Sequence, residues 1–279
     1  MTAAHKFSVS RHVLWLCLAL VAIVPCDDAS QAGPAAAEAP ADVHFYFVQI
    51  TDTHFGTPDT AKRTAKAVEM INALPMKIKC VLHTGDITSN KLEHEPTVAA
   101  SLAAFKRIKA PLHILPGNHD IVVRNRIATL AIYKRKYGKL LIEAHYDGVA
   151  FIGVYTEPLA ADFPLESFDP LKRLAAALKR AGSRPAIVFH HTPSVDDFYR
   201  NRMHAGWDST LRAKWTKLLN AHNVKAVIAG HFHRDEHHWL GRVPLYVSSS
   251  IAGMWGRQAS FRIYEYRNGK LSYRTQYIE

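Results

Sequence analysis

The run Val224-Lys225-Ala226-Val227-Ile228-Ala229-Gly230-His231-Phe232-His233 places an apolar stretch directly against a glycine and two histidines. Its first six residues have the composition of a strand buried on both faces, as in a parallel or mixed sheet covered by helices. The same arrangement recurs upstream. Ala186 to Phe189 (AIVF) precedes His190-His191, and Leu112 to Leu115 (LHIL) precedes Gly117-Asn118-His119-Asp120. Ile78 to Thr84 (IKCVLHT) runs into Gly85-Asp86, and His44 to Ile50 (HFYFVQI) into Asp52-Thr53-His54. Helical patterns at Thr60 to Leu74, Leu92 to Ile108, Asp169 to Ala181 and Asp208 to His222 lie between or beside these runs, so the chain reads as α/β. In an open α/β sheet the ligand crevice lies beyond the carboxyl ends of the strands, and five polar blocks at five such ends converge on one place. Glycines 85, 117 and 230 let the chain turn sharply there. Val243 to Ser249 reads as another strand, and Phe261 to Tyr266 with Lys270 to Tyr277 as a hairpin around Asn268-Gly269 with a type I′ turn, completing a second sheet.

The residue types in the five blocks carry a chemistry of their own. Asp, Asn and His offer hard oxygen and imidazole nitrogen donors, a set suited to first-row metals, and a carboxylate has two oxygens with which to bridge two ions. No thiolate is offered. A lone Asp-x-His or Gly-Asp is an ordinary turn; Gly-Asn-His-Asp and Gly-His-x-His are rarer, and all five in order describe a two-metal hydrolase. Two ions about 3.5 to 4 Å apart can lower the pKa of a shared water toward about 7 and clamp both sides of an in-line displacement at phosphorus. Such a positive centre attracts a phosphate anion.

With these blocks the chain resembles the calcineurin-like metallophosphoesterases, whose pattern is D-x-H, GD, GNH[DE], H and GHxH, over residues 43 to 279. The resemblance implies a four-layer α/β/β/α sandwich with two mixed sheets and a metal site at the carboxyl ends of the strands. It implies one metal held by Asp52, His54, Asp86 and His233, and a second held by Asp86, Asn118, His190 and His231, with Asp86 as the bridge. The ions expected are two of Fe, Mn or Zn. A metal-bridging hydroxide would attack phosphorus, and His119, not a ligand, would face the substrate and protonate the leaving oxygen. Such a general acid is worth about 10² to 10⁴ in rate. His190 is assigned as ligand because it ends the strand; for His191 a place lining the substrate pocket, with Asn118, is one of two readings that stay open, the more so because Thr192 replaces a Pro of the motif.

Departures from subtypes narrow the reading. The protein serine/threonine phosphatases continue the second block as GDxVDRG with Arg before GNHE, where this chain has Gly85-Asp86-Ile87-Thr88-Ser89-Asn90 and Leu115-Pro116-Gly117. Purple acid phosphatases place a Tyr three residues after the bridging Asp, and Ser89 stands there. The segment His190-His191-Thr192-Pro193 is similar to the HHPP of the bacterial class III cyclic-nucleotide phosphodiesterases and glycerophosphodiesterases, with Thr for one Pro. The expectation is a phosphodiesterase; the alternatives are a phosphomonoesterase or nuclease with the same metals and, from another class, a non-catalytic binding protein. Other hydrolytic routes lack support. There is no G-x-S-x-G elbow or Walker loop, and Cys80 lies in an apolar run without an Arg six residues downstream, a buried small hydrophobe.

At 279 residues and 48% hydrophobic, the chain can bury the core of one catalytic domain, and no internal repeat is evident. Lys and Arg exceed Asp and Glu by 11, which suits a small phosphorylated substrate; nucleic acid is a disfavoured partner, since Arg124 to Lys139 (RNRIATLAIYKRKYGK) reads as a solvated helix face without stacking aromatics. The oligomeric state is not legible. Lys6, Arg11 and His12 precede the apolar Val13 to Val24, a core of 12 residues, followed by Ser30-Gln31-Ala32. This reads as a secretory signal over residues 1–32, then a flexible Ala/Pro leader over 33–42, and implies a periplasmic or secreted protein with no stable membrane span after processing. Acylation of Cys26 is the alternative, against which Pro25 precedes the Cys. Cleavage at Ala32 removes Cys17 and Cys26 and leaves Cys80 alone, so no intramolecular disulfide forms.

Overall fold

A computed structural model of the chain describes residues 42–160, 165, 167–196 and 207–279. The expected signal segment, its Ala32 processing site, Cys17, Cys26 and all of the leader but Asp42 lie outside the described residues. The first half runs β1 (His44–Ile50), α1 (Thr60–Asn72), β2 (Ile78–His83), α2 (Glu95–Lys106), β3 (Leu112–Ile114), α3 (Arg126–Lys136), β4 (Leu141–Tyr146) and β5 (Val149–Val154). Then come α4 (Glu157–Ala160), α5 (Pro170–Ala181), β6 (Ala186–Phe189), α6 (Ser209–Asn220), β7 (Val224–Ala229), β8 (Glu236–Leu240), β9 (Val243–Val247), β10 (Ser260–Arg267) and β11 (Lys270–Tyr277).

The strands form two mixed sheets, in the orders β11-β10-β1-β2-β3 and β4-β5-β6-β7-β9-β8. Each has a parallel centre with antiparallel additions: β1, β2 and β3 run together in one, and β5, β6, β7 and β9 in the other. Alternation along each strand divides the apolar side chains between two cores. Phe45 and Phe47 of β1, Leu82 of β2, Phe151 of β5, Ile187 and Phe189 of β6 and Ile228 of β7 fill one core with residues from both sheets. Phe47 and Phe151 meet edge to face across it at 5.1 Å. The opposite parity, with Val48, Ile50, Val188 and Val227, joins side chains of α1, α2, α5 and α6 in the outer core. This is the helix, sheet, sheet, helix layering that the resemblance implies, but the C-terminal strands do not share one sheet as expected: the β10–β11 hairpin pairs with β1, and β9 lies in the other sheet beside β7.

Asp169 accepts the Lys172 N–H at 3.1 Å with Pro170 behind it, and Asp208 accepts the Leu211 N–H at 2.9 Å, so α5 and α6 each begin at a carboxylate that satisfies an orphan donor. Asn268 and Gly269 both take positive φ, 48° and 82°, and close the β10–β11 hairpin in the expected I′ sense. The sequence did not announce β4, β5 and β8. The segment Arg124 to Lys139 forms a 3₁₀ turn, Val123–Asn125, and α3, with its basic residues outward and Tyr133 buried. Among the described residues no helix is long and apolar enough to cross a membrane.

Candidate metal centre

The parallel strands of both sheets deliver their following loops to one place. The loops after β1 and β2 are laced together by Asp52 N–H to Gly85 O at 2.9 Å and His54 N–H to Asp86 O at 3.0 Å. Those after β6 and β7 are joined by Gly230 N–H to His191 O at 3.0 Å. Gln49, fully buried on β1, donates to the carbonyl of Ala229 at the end of β7 (2.8 Å) and to Thr84 Oγ1 (2.9 Å), tying the two sheet ends at the site. Two groups of side chains result, Asp52, His54, Asp86 and His233, and Asp86, His191 and His231; within each, one donor atom per residue lies within 4.8 Å of the others. Asp86 belongs to both.

The backbone of this cluster is held in an uncommon shape. Asp52, His54, Asp86, His231 and His233 all adopt left-handed conformations, with φ of 51°, 45°, 54°, 70° and 53°. For residues other than glycine each costs about 1 kcal/mol or more, and such strain gathers at functional sites. The glycines do something different from what turning alone requires. Gly230 and Gly117 are not at positive φ; a Cβ on Gly230 would sit 2.0 Å from Thr51 Oγ1 and 2.7 Å from Asp52 Oδ2, and one on Gly117 would sit 2.3 Å from Asp86 Oδ1. They are absent side chains that let two carboxylates approach the backbone.

Each carboxylate is anchored by one oxygen and presents the other. Asp52 Oδ2 accepts from Thr51 Oγ1 (2.6 Å) and the His231 N–H (3.0 Å), leaving Oδ1 without a hydrogen bond, 3.2 Å from His233 Nε2 and 3.8 Å from His54 Nε2. Asp86 Oδ1 accepts the His119 N–H (2.8 Å), and Oδ2 lies 3.6 Å from His54 Nε2 and 3.2 Å from His191 Nε2. The atom shared between the two groups is therefore Oδ2 alone, not one oxygen for each.

The expected ligand His190 is displaced by its neighbour. His190 continues the parity of Val188, turns toward the outer core and packs against Trp207 and Trp215 at ring distances of 5.5 and 5.2 Å, where burial pushes its pKa down to about 3. His191 takes the inward parity of Phe189. Its Nδ1 lies 2.8 Å from the carbonyl of Thr84, which can only accept, so Nδ1 carries the proton and Nε2 faces Asp86 Oδ2 and Asn118 Oδ1, the latter at 3.0 Å. The geometry thus places His191, not His190, in the cluster. Thr192, where the similar motif has Pro, gives its hydroxyl to Glu157 at 3.0 Å, a buried carboxylate behind His191.

The electrostatics follow from this packing. Burial opposes ionisation of Asp52 and Asp86, yet His233 beside the first and His191 beside the second hold both carboxyls well below the usual range. Burial lowers His54 to about 4 against the pull of both carboxylates. For His191 burial is outweighed by Asp86 and Asp52, and the imidazolium persists up to about 10. A buried, unbonded carboxylate oxygen ringed by imidazole nitrogens, and a second set of two acceptors facing Nε2, are arrangements a cation satisfies. The oxygen and imidazole donors fit Fe, Mn or Zn.

His119 lies outside both groups, half-buried, with its ring 5.2 Å from that of His54 and its Nδ1 3.1 Å from Asn90 Oδ1. Asn118, with Oδ1 3.0 Å from His191 Nε2, is likewise half-buried. Sequence reasoning passed over Asp120. Fully buried, it accepts the N–H groups of Ile87, Thr88 and Gly117 at 2.8 to 3.0 Å and clasps the loop after β3 to the loop carrying Asp86. Burial and the nearby Asp86 push its pKa up to about 7 against those donors. His83 was also missed. It accepts from Gly85 N–H at Nδ1 and so donates from Nε2 to Thr53 Oγ1 at 3.0 Å, bracing the same turns.

A family profile for calcineurin-like phosphoesterase matches residues 45–235, and the chain belongs to that family. It is 26% identical over 247 residues to a human protein named serine/threonine-protein phosphatase CPPED1, covering 76% of this chain and 77% of that one. Its fold is similar to that of a dimetal phosphatase from Danio rerio, with a TM-score of 0.61 at 14% identity, covering 84% of this chain and 99% of the other. It is similar also to that of GAP50, an anchor in the inner membrane complex of Plasmodium, with a TM-score of 0.63 at 14% identity, covering 85% and 89%. The fold is shared by a protein named a phosphatase and one named an anchor, so activity rests on the site.

Proposed function

We propose that the protein hydrolyses phosphate esters with two metal ions, one among Asp52, His54, Asp86 and His233 and the other among Asp86, Asn118, His191 and His231. The observation that carries this is Asp86 Oδ2, a single carboxylate oxygen facing both groups. The ions would supply Lewis acidity, drawing the pKa of water from about 15.7 toward about 7 and offsetting phosphate charge. The protein's own part is to fix the donors. Thr51 and the His231 N–H aim Asp52 Oδ1, the Thr84 carbonyl aims His191 Nε2, and Asp120 holds the Asp86 and Asn118 loops in register. His119, with Nδ1 engaged by Asn90, presents Nε2 to give a proton to the departing oxygen.

The finer reading is a phosphodiesterase. A diester carries one negative charge and needs no second cation, and none of the five sequence blocks that build the site contains an Arg or Lys. The name borne by the human relative favours a second reading, a phosphomonoesterase. Comparing kcat/KM for bis-p-nitrophenyl phosphate and p-nitrophenyl phosphate, with metal content measured on the same sample, separates them. A diester preference is expected; a clear monoester preference moves the enzyme to the second reading, and no hydrolysis of either by protein holding two ions removes the proposal.

A further inference from the structure

We infer that Trp255 is a stacking platform for the organic group of the substrate, so that the site selects phosphate esters of flat, π-bearing groups over aliphatic ones. This inference rests on the phosphoesterase reading of the neighbouring centre. Trp255 is 59% exposed although its ring centroid lies only 4.7 Å from the imidazole of His233, at an interplanar angle of 58°. A large aromatic more than half exposed at the lip of a polar centre presents ring surface to a ligand. Its backbone is held there at some cost. Trp255 has φ of 56°, left-handed for a bulky residue, between Gly253 at 59° and Gly256 at 73°.

The loop is tied to the centre. The Ala252 N–H donates to the carbonyl of Asp52 (3.1 Å), the Ala252 carbonyl accepts from Arg63 Nη1 (2.6 Å), and the Gly253 N–H donates to Ser250 Oγ (3.1 Å). A turn closed by Arg257 N–H to Met254 O at 3.1 Å then presents the indole. The Arg257 guanidinium lies over the indole, 5.7 Å from its centroid, adding a cation at the aromatic ring. An ester whose phosphorus is seated at Asp86 thus meets, one residue beyond His233, a flat apolar surface flanked by positive charge. Stacking on such a surface strengthens binding by about fivefold to more than a hundredfold per ring.

The test uses ligands that cannot be hydrolysed and share one headgroup. Protein loaded with two equivalents of Mn²⁺ is titrated calorimetrically with phenylphosphonate and ethylphosphonate, as wild type, Trp255→Ala and Trp255→Phe, with bound metal determined for each. Wild type should favour the phenyl ligand by about tenfold; Trp255→Ala should bring the ratio near one with metal content unchanged, and Trp255→Phe should keep most of the preference. The phosphonate analogue of adenosine 5′-monophosphate distinguishes the source of the ring. Tighter binding than phenylphosphonate, lost in Trp255→Ala, marks a nucleotide base, and equal or weaker binding marks a simple aryl group; both support the platform. A phenyl-to-ethyl ratio unchanged in Trp255→Ala, or equal losses for both ligands, overturns it. If neither phosphonate binds wild type, the phosphoesterase reading fails and the platform falls with it.

Discussion

The backbone N–H of His119 donates to Asp86 Oδ1 at 2.8 Å, so the residue proposed as the acid is built on the same hydrogen bond that frees Asp86 Oδ2 for both donor groups. One peptide unit couples the position of the acid to the position of the shared ligand. Asp120 enforces the coupling from below by holding the Gly117, Ile87 and Thr88 amides.

Asp86→Asn keeps the shape of this junction and removes its charge. The amide oxygen can still accept from His119 N–H, which turns the NH₂ toward His54, His191 and the ions. Activity should fall by on the order of 10³-fold or more while the circular dichroism spectrum is retained. Metal content by mass spectrometry should drop below two per chain. Hydrolysis near the wild-type rate with both ions bound would remove Asp86 as the bridge.

His190 and His191 should separate cleanly despite being adjacent. His191→Ala removes a donor facing Asp86 and should lose about one metal ion per chain, with partial recovery of activity in excess metal. His190→Leu puts an apolar side chain among Trp207 and Trp215 and should change unfolding free energy by no more than about 1.5 kcal/mol. Its metal content should stay at two. The reverse pattern would restore His190 as the ligand.

Binding of metal should release a proton from His191. In the metal-free protein Asp86 and Asp52 keep its imidazolium up to about 10, well above its unfolded value of about 6.5. A ligand nitrogen must be neutral, so near pH 8 each chain should give up about one proton from this residue. Titration with Mn²⁺ in buffers of different ionisation enthalpy reads that count. The sign for stability follows from linkage. A His with a raised folded pKa adds stability fully present below about 6.5 and lost as pH rises through about 10, so urea midpoints of the metal-free protein should decline across that window. His191→Gln should flatten the decline and abolish the proton release.

How far the sequence could be read depended on which physical signal each feature leaves. The β1, β2, β6 and β7 runs were legible because strands buried on both faces are nearly all apolar. Four outer helices were legible from their spacing, to within a few residues at the ends. β4 and β8 were not, since LIEAHY and EHHWL mix charged and apolar residues at the edges of a sheet. The blocks told which loops meet but not which atom of each carboxylate is spent on anchoring, because that is set by the His119 and His231 amides. Ending a strand does not make His190 a ligand, because parity decides the matter: Val188 and His190 share one side, Phe189 and His191 the other. Asp120 stands in plain view inside Gly-Asn-His-Asp, yet its role lies in joining the Gly117 amide of its own loop to the Ile87 and Thr88 amides of a loop distant in sequence.

Asp120→Ala tests that clasp. It leaves three buried N–H groups without acceptors, which should cost about 3 to 5 kcal/mol in urea unfolding and loosen both donor groups at once. Destabilisation below about 1 kcal/mol would mean that the two loops hold their register without it.

His119 and Asn90 are best tested through the leaving group. An acid matters in proportion to how badly the departing oxygen needs a proton, so His119→Ala should cost about 10² to 10⁴ in kcat/KM with alkyl esters, about 3 to 5 kcal/mol of barrier, and little with p-nitrophenyl esters. Asn90 holds His119 Nδ1 at 3.1 Å, and His119 stands outside both donor groups. Asn90→Ala should therefore follow the same leaving-group dependence at smaller size, about tenfold with alkyl esters, while bound metal stays at two. Asn90→Asp keeps an acceptor at the same place and adds a negative charge that favours the imidazolium. It should preserve alkyl ester hydrolysis and move the alkaline limb of its pH–rate profile upward, which a merely structural Asn90 would not do. Equal losses for alkyl and p-nitrophenyl esters in His119→Ala would assign His119 to binding the phosphate rather than to protonating the leaving oxygen, and the shift expected of Asn90→Asp would then be absent.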